Sequence, residues 1–267
     1  MYSEQDLQSA VAAGAISHDA AEALRAHATG LRNAPSADEE HFRLITGFND
    51  IFVTIAAVLL LVAAAGIGNA IAPGVPGLLI AGSAWGLAEF FTARRRMALP
   101  SIVLLLAFVG GVASIPINII AEAELNWSQA TNALIGSGIG LLAAAAAWLH
   151  WRRFMVPITV AAGAGALAVT LIALIVSGLT AINGNLDPEP YLLPLVLLAG
   201  LIVFAYAMRW DMSDPARETR RSDVAFWLHL LAAPMIAHPL FHWLGVTEGE
   251  NIGLLAALGV LVVYVLM

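Results

Sequence analysis

The chain contains no cysteine and no lysine. The first absence excludes disulfides, thiolate metal sites and thiol catalysis. The second excludes a Schiff-base lysine and a phosphate-binding loop of the Gly-Lys-Ser type. Charge of either sign is scarce, at 12% of 267 residues, where soluble domains carry about 25%. The net charge of −7 is the reverse of a nucleic-acid footprint, so no nucleic-acid partner is expected. A short basic region followed by an apolar run is missing from the start. The first 47 residues instead hold seven acids and three arginines. No cleavable signal peptide is therefore expected, and the first apolar stretch must serve as its own insertion signal.

What is present is apolar sequence. Hydrophobic residues make up 60% of the chain and the mean hydropathy is +0.83, so lipid is the expected solvent for most of it. A bilayer core needs about 17–25 apolar residues per helix. Eight stretches meet or approach this length: Ile51–Ala72, Val75–Phe91, Ile102–Ile120, Ala133–Trp151, Met155–Leu179, Tyr191–Trp210, Val224–Leu244 and Ile252–Met267. They are too long and too continuously apolar for barrel strands. The expected fold class is all-α: a polytopic membrane helix bundle of about eight transmembrane helices over residues 48–267. The last stretch is short and stops at Met267 without a polar flank, which reads either as a chain ending within the inner leaflet or, preferred, as one truncated there.

All twelve basic residues are arginines, and they occupy every second loop. Arg25, Arg32 and Arg43 precede span 1, and Arg94–Arg96 join spans 2 and 3. Arg152 and Arg153 join spans 4 and 5, and Arg209, Arg217, Arg220 and Arg221 join spans 6 and 7. Basic loops stay in the cytoplasm, so both termini are expected there and the location is a bacterial inner (cytoplasmic) membrane. The intervening loops carry only acids, in the pairs Glu122 and Glu124, Asp187 and Glu189, and Glu248 and Glu250. Acids are what remain when arginines are kept inside, although such a rim can also attract cations.

Residues 1–32 read as a small helical hairpin. Ser3 and Asp6 give a weak start signal, Gly14 suits a helix C-terminus, and Ser17 can cap a second helix over His18 to Ala28. Leu7, Val11, Ile16 and Leu24 form one apolar face, too small for an independent core. The hairpin is therefore expected to dock on a cytoplasmic protein partner, on the loops, or on another copy. Residues 33–47 form a linker and interfacial segment, the latter from Phe42, Leu44, Ile45 and Phe48. The pattern of Leu7, Val11, Gly14, Ile16, Ser17 and Ala21 before many spans resembles a bacterial family of predicted membrane proteins of unknown function. The resemblance covers about 25 residues. It implies an inner-membrane location and brings no catalytic residues.

Two further patterns concern packing. Arg95-Arg96-Met-Ala-Leu-Pro100 and Arg152-Arg153-Phe-Met-Val-Pro157 share Arg-Arg-x-x-x-Pro, and Ile117, Asn118, Glu122 and Glu124 match Ile182, Asn183, Asp187 and Glu189. The offsets, 57 and 65, differ by eight residues, which are expected to lie inside the span. Spans 3–4 and 5–6 then read as related hairpins, although helix-start proline and cytoplasmic arginine account for part of the match. Gly82-x-x-x-Gly86 and Gly136-x-x-x-Gly140, the latter extended by Ala143–Ala147, predict close helix approach in a compact bundle or a homodimer.

Ionisable residues within spans are costly and need an explanation. Glu89 lies just before the Arg94–Arg96 cluster, where a salt bridge or snorkelling pair competes with a proton or cation relay. Asn49 and Asp50 are expected to cap span 1. Span 7 carries His229, His238 and His242, with Pro234 and Pro239 predicting a kink. His238 and His242 share a helical face and can hold zinc with a third ligand such as Glu248. Haem is a further cofactor option, interfacial or packing histidines are the plainer reading, and proton-linked roles are a third. His150 is too far away, at the other end of span 4, to join them.

Three functions compete. Transport of a small solute or ion is preferred, on the hairpin match, the prolines of span 7 and the acidic rim. The alternative is a non-enzymatic membrane scaffold or sensor that recruits a partner through its hairpin. The third is an intramembrane metalloenzyme built on His238 and His242.

Overall fold

A computed structural model describes residues 9–24, 48–184, 186–215, 217, 219–243, 259 and 262. The chain divides into two units, Met1–Arg43 and Leu44–Met267. Span 8, apart from helical Gly259 and Val262, lies outside the described residues, as do Leu7, Glu248, Glu250 and the linker.

In the first unit two short helical segments, 9–12 and 18–24, are joined by a glycine turn. Gly14 takes φ +69°. Its amide donates to the Val11 carbonyl (3.0 Å) and the Ala15 amide to the Ala10 carbonyl (2.9 Å), the paired bonds of a Schellman C-cap. Ser17 Oγ accepts the Ala20 amide at 3.1 Å and starts the second segment. Ala21 is buried, Val11 and Ile16 are half-buried, and Leu24 is exposed.

The second unit is helical, with seven helices long and apolar enough to cross a membrane among the described residues. They are α1 (Phe48–Asn69), α2 (Val75–Ala88), α3 (Ala98–Glu122), α4 (Gln129–Phe154), α5 (Ile158–Ile182), α6 (Glu189–Met212) and α7 (Arg220–Trp243). A π turn, Glu89–Arg94, continues α2 to the end of its span. Large apolar side chains such as Phe52, Leu59, Leu106, Leu171 and Ile202 line the outside, the surface expected of a body solvated by lipid. The chain is a multi-pass helical membrane protein.

The ends of the helices differ from the apolar runs by up to four residues. α1 begins at Phe48, so Asp50 is inside its first turn and its carbonyl accepts the Thr54 hydroxyl at 2.7 Å. Ser128 caps α4 through the Thr131 amide. At the start of α7, Thr219 Oγ1 accepts the Arg221 amide at 3.2 Å, and Asp214 in turn holds Thr219 through its amide and hydroxyl. α7 runs unbroken through Pro234 and Pro239.

Packing is strongest within α2–α3, α4–α5 and α6–α7, each pair closed by an arginine-bearing turn, whereas α5 and α6 barely touch. The 3–4 and 5–6 hairpins of the repeat are therefore not the most closely packed pairs. The repeat is also placed differently from expectation. α3 and α5 are both 25 residues long, so the eight-residue offset lies at the helix ends. Pro100 is inside the first turn of α3 while Pro157 is the N-cap of α5, and Asn118 is inside α3 while Asn183 is the C-cap of α5.

Glycine explains the pairing. Lipid gives no hydrophobic drive between helices, so close backbone approach must supply the contact. A Cβ on Gly77 would meet Ser114 Oγ at 2.5 Å and the Gly111 carbonyl at 2.6 Å, and one on Gly140 would meet Thr170 Oγ1 at 2.5 Å. One on Gly200 would meet Met235 Cβ and Ile236 Cγ1 at 2.9 Å. Each hairpin thus crosses at a glycine. Gly82 and Gly86 have no atom near the Cβ position, and Gly136 has only Ala173 Cβ at 4.0 Å. Within the chain, the close contact of α2 falls on the neighbouring face instead, where Gly77, Ala81, Ala84 and Ala88 are buried.

Three hydroxyls of α5 are satisfied by backbone carbonyls. Thr170 and Thr180 bond back to the Ala166 and Val176 carbonyls, and Ser177 crosses from α5 to the Ala130 carbonyl of α4 at 2.8 Å. A hydroxyl so placed removes the cost of a bare polar group in hydrocarbon.

Candidate functional site

Three side-chain polar atoms among the described residues are buried without a hydrogen-bond partner: Thr92 Oγ1, His150 Nε2 and His229 Nδ1. Such atoms are rare in folded proteins and each needs a reason. His150 is the most enclosed of the three residues, with no solvent-accessible surface.

The turn between α4 and α5 builds the site. α4 ends at Met155, whose left-handed backbone (φ +55°) reverses the chain while its amide still bonds to the Trp151 carbonyl. Pro157 then opens α5. This returns buried Thr159 to His150, with Oγ1 3.4 Å from Nδ1. The other faces of the imidazole meet aromatic rings. Phe154 lies 4.6 Å away from α4 itself, Phe108 lies 5.9 Å away from α3, and Trp85 lies 6.2 Å away, edge-on, from α2. Trp85 also contacts Phe108 and Phe154, each at 5.0 Å. Three helices and one turn thus close an aromatic box around one imidazole, leaving one nitrogen free to give or take a hydrogen bond.

One turn beyond Trp85, Glu89 forms a two-pronged ion pair with Arg153: Nε to Oε1 at 2.9 Å and Nη2 to Oε2 at 2.5 Å. Its partner comes from the next hairpin, 64 residues on, not from the adjacent Arg94–Arg96 cluster. The Arg153 and Glu89 side chains are 50% and 36% exposed, so the pair is a clasp at the bundle end and not a charge sealed within it. Arginines here also lie over aromatic faces: Arg95 on Phe90, Arg152 on Trp148 and Arg153 on Phe154, at 5.2–5.4 Å. Cation–π contact of this kind holds a charge at an interface.

The α7 histidines differ in their surroundings. His229 is half-buried against Phe204 of α6, ring to ring at 5.3 Å. His238 is exposed and His242 half-buried, and α7 packs mainly on α6 and α5. Among the described residues no three histidine, aspartate or glutamate side chains converge on a metal-sized site. Glu122, Glu124, Asp187 and Glu189 are exposed at the end opposite the arginines. Asp187 accepts the Glu189 amide at 3.0 Å and so supports the start of α6.

Two cavities open between the helices. One of about 360 Å³ is walled by α1, α2 and α3 side chains such as Leu61, Ile80 and Leu106. The other, of about 520 Å³, lies between α4, α5 and α6 and has Thr159, Trp151 and Trp210 in its wall. Neither is lined by Glu89 or His238.

Comparison with family models, curated proteins and solved structures finds no match to the chain.

Proposed function

We propose that this chain is a non-enzymatic membrane scaffold or sensor whose N-terminal hairpin recruits a protein partner. One observation carries the reading: neither of the two cavities described above is lined by Glu89 or His238, the groups a transport path would use. Glu89 is occupied by Arg153 at the bundle end, His238 is on the exposed surface, and both cavities have mainly apolar walls. Conduction needs a hydrated or polar route through the low-dielectric core. The segregated arginines support placing their end in the cytoplasm of a bacterial inner membrane, which puts the hairpin there too.

The test combines two measurements on the full chain. Proteoliposomes should show no proton or cation flux above protein-free vesicles. A photo-crosslinking residue at exposed His18 should give one discrete adduct in cells. Flux that disappears in Glu89→Gln would reverse the reading in favour of transport. No discrete adduct, together with no phenotype on deleting residues 1–40, would remove the scaffold.

A further inference from the structure

We infer that the groove between α4, α5 and α6 is a binding site for one acyl chain of an anionic phospholipid from the arginine-side leaflet. The groove exists because α6 is held by α7 through Gly200 while α5 is held by α4 through Gly140, so the consecutive α5 and α6 barely meet. Its hollow comes from small residues, Ala144, Ala147, Gly163, Ala164 and Ala168. Its volume of about 520 Å³ lies within the roughly 300–1,000 Å³ of small-ligand sites.

Three features select this occupant. The first is depth. Thr159 to Leu171 of α5 line the groove, a rise of about 18 Å at roughly 1.5 Å per residue. One leaflet is half of the roughly 30 Å hydrocarbon core, so the groove extends from the arginine-side interface to about the midplane. The second is access. Trp148, Leu167, Leu171, Ile202 and Tyr206 line it and are exposed, so the opening is lateral, towards lipid. The third is the mouth. Trp148, Trp151, Tyr206 and Trp210 gather at the arginine end, the amphipathic ring level of a headgroup region. Arg152 lies over Trp148, and exposed Arg209 adjoins Trp210. No acid is in the lining, and Asp211 beside Trp210 is outnumbered by Arg152 and Arg209, so the net charge at this mouth favours a phosphate diester without a compensating ammonium. Thr159, in the groove wall, lies 3.4 Å from His150 Nδ1.

Native mass spectrometry of the purified full chain tests this, with dioleoylphosphatidylglycerol and dioleoylphosphatidylcholine as probes. The tails are identical, so any difference reads the headgroup. Wild type should retain one phosphatidylglycerol at about tenfold lower lipid concentration than phosphatidylcholine, since two arginines act on the headgroup. Arg152→Gln with Arg209→Gln should abolish that preference. Gly163→Leu fills the floor, where an added Cβ meets only Ala147 Cβ at 3.6 Å, and should lose both lipids. Ile202→Trp fills the groove from the exposed side of α6 and should do the same, which keeps the test decisive if Gly163→Leu does not fold. Equal retention of the two lipids by wild type would overturn the proposal. So would wild-type retention of phosphatidylglycerol in a folded groove-filling variant, or a preference that survives loss of both arginines.

Discussion

His150 offers one ring nitrogen to Thr159 and keeps the other bare inside three aromatic rings. A buried unpartnered polar atom costs about 1–3 kcal/mol, so His150→Phe should leave stability within about 1 kcal/mol of wild type or raise it. His150→Ala opens a cavity and should cost about 2–4 kcal/mol. Thermal unfolding in detergent reads both, and a stable His150→Phe variant that loses crosslinking to its partner would mark the imidazole as functional. The Glu89–Arg153 clasp is partly exposed, so Glu89→Gln and Arg153→Gln should each change stability by about 0–1 kcal/mol, and the double variant should be no worse than the weaker single. Glu89 stands out in sequence as an acid in an apolar run. His150 does not, because it sits beside Arg152 and Arg153 and reads as the polar flank of span 4. The one available signal was a shared spacing: Trp85 and Glu89 are four apart, as are His150 and Phe154, and both sets end at the same face of the membrane. The partnership itself is tertiary, since it needs α2, α3 and α4 to meet.

Helices were legible from apolar length, and their pairing was not. Seven of the eight expected spans fall on helices of the described residues, with starts shifted by four residues where Ser128 or Thr219 sets the turn. Which face of a helix packs is harder, because a side chain facing lipid is as apolar as one facing a neighbour. Gly82 and Gly86 match a packing motif and face open space, while Gly77, without that motif, makes the contact. Substitution separates the two classes. Gly140→Leu places atoms where Thr170 stands and should lower stability by about 1–3 kcal/mol or prevent folding. Gly82→Leu should stay within about 0.5 kcal/mol of wild type. Size-exclusion recovery after graded heating gives the comparison, and equal loss in both variants would refute the assignment of crossing glycines.

At the scale of the whole molecule, all nine arginines among the described residues lie at one end of the bundle. That pattern was readable in full because it depends only on position along the chain. The natural absence of cysteine gives a clean background for testing its direction. With a membrane-impermeant maleimide, Glu124→Cys should label in intact cells, and Arg217→Cys only after permeabilisation; the opposite result would invert the topology. The pairing of helices across arginine turns also has a consequence for how the bundle is made. Contacts between chain neighbours close early and quickly, and chains are synthesised from the N-terminus at about 5–20 residues per second. α2 can grip α3, and α4 can grip α5, as soon as the second helix of each pair has left the ribosome. α2 and α4 also pack on the helix made before them, whereas α6 barely touches α5. α6 must wait in lipid for α7, so a nascent chain stopped before Arg220 would carry one helix whose glycine notch at Gly200 is still empty.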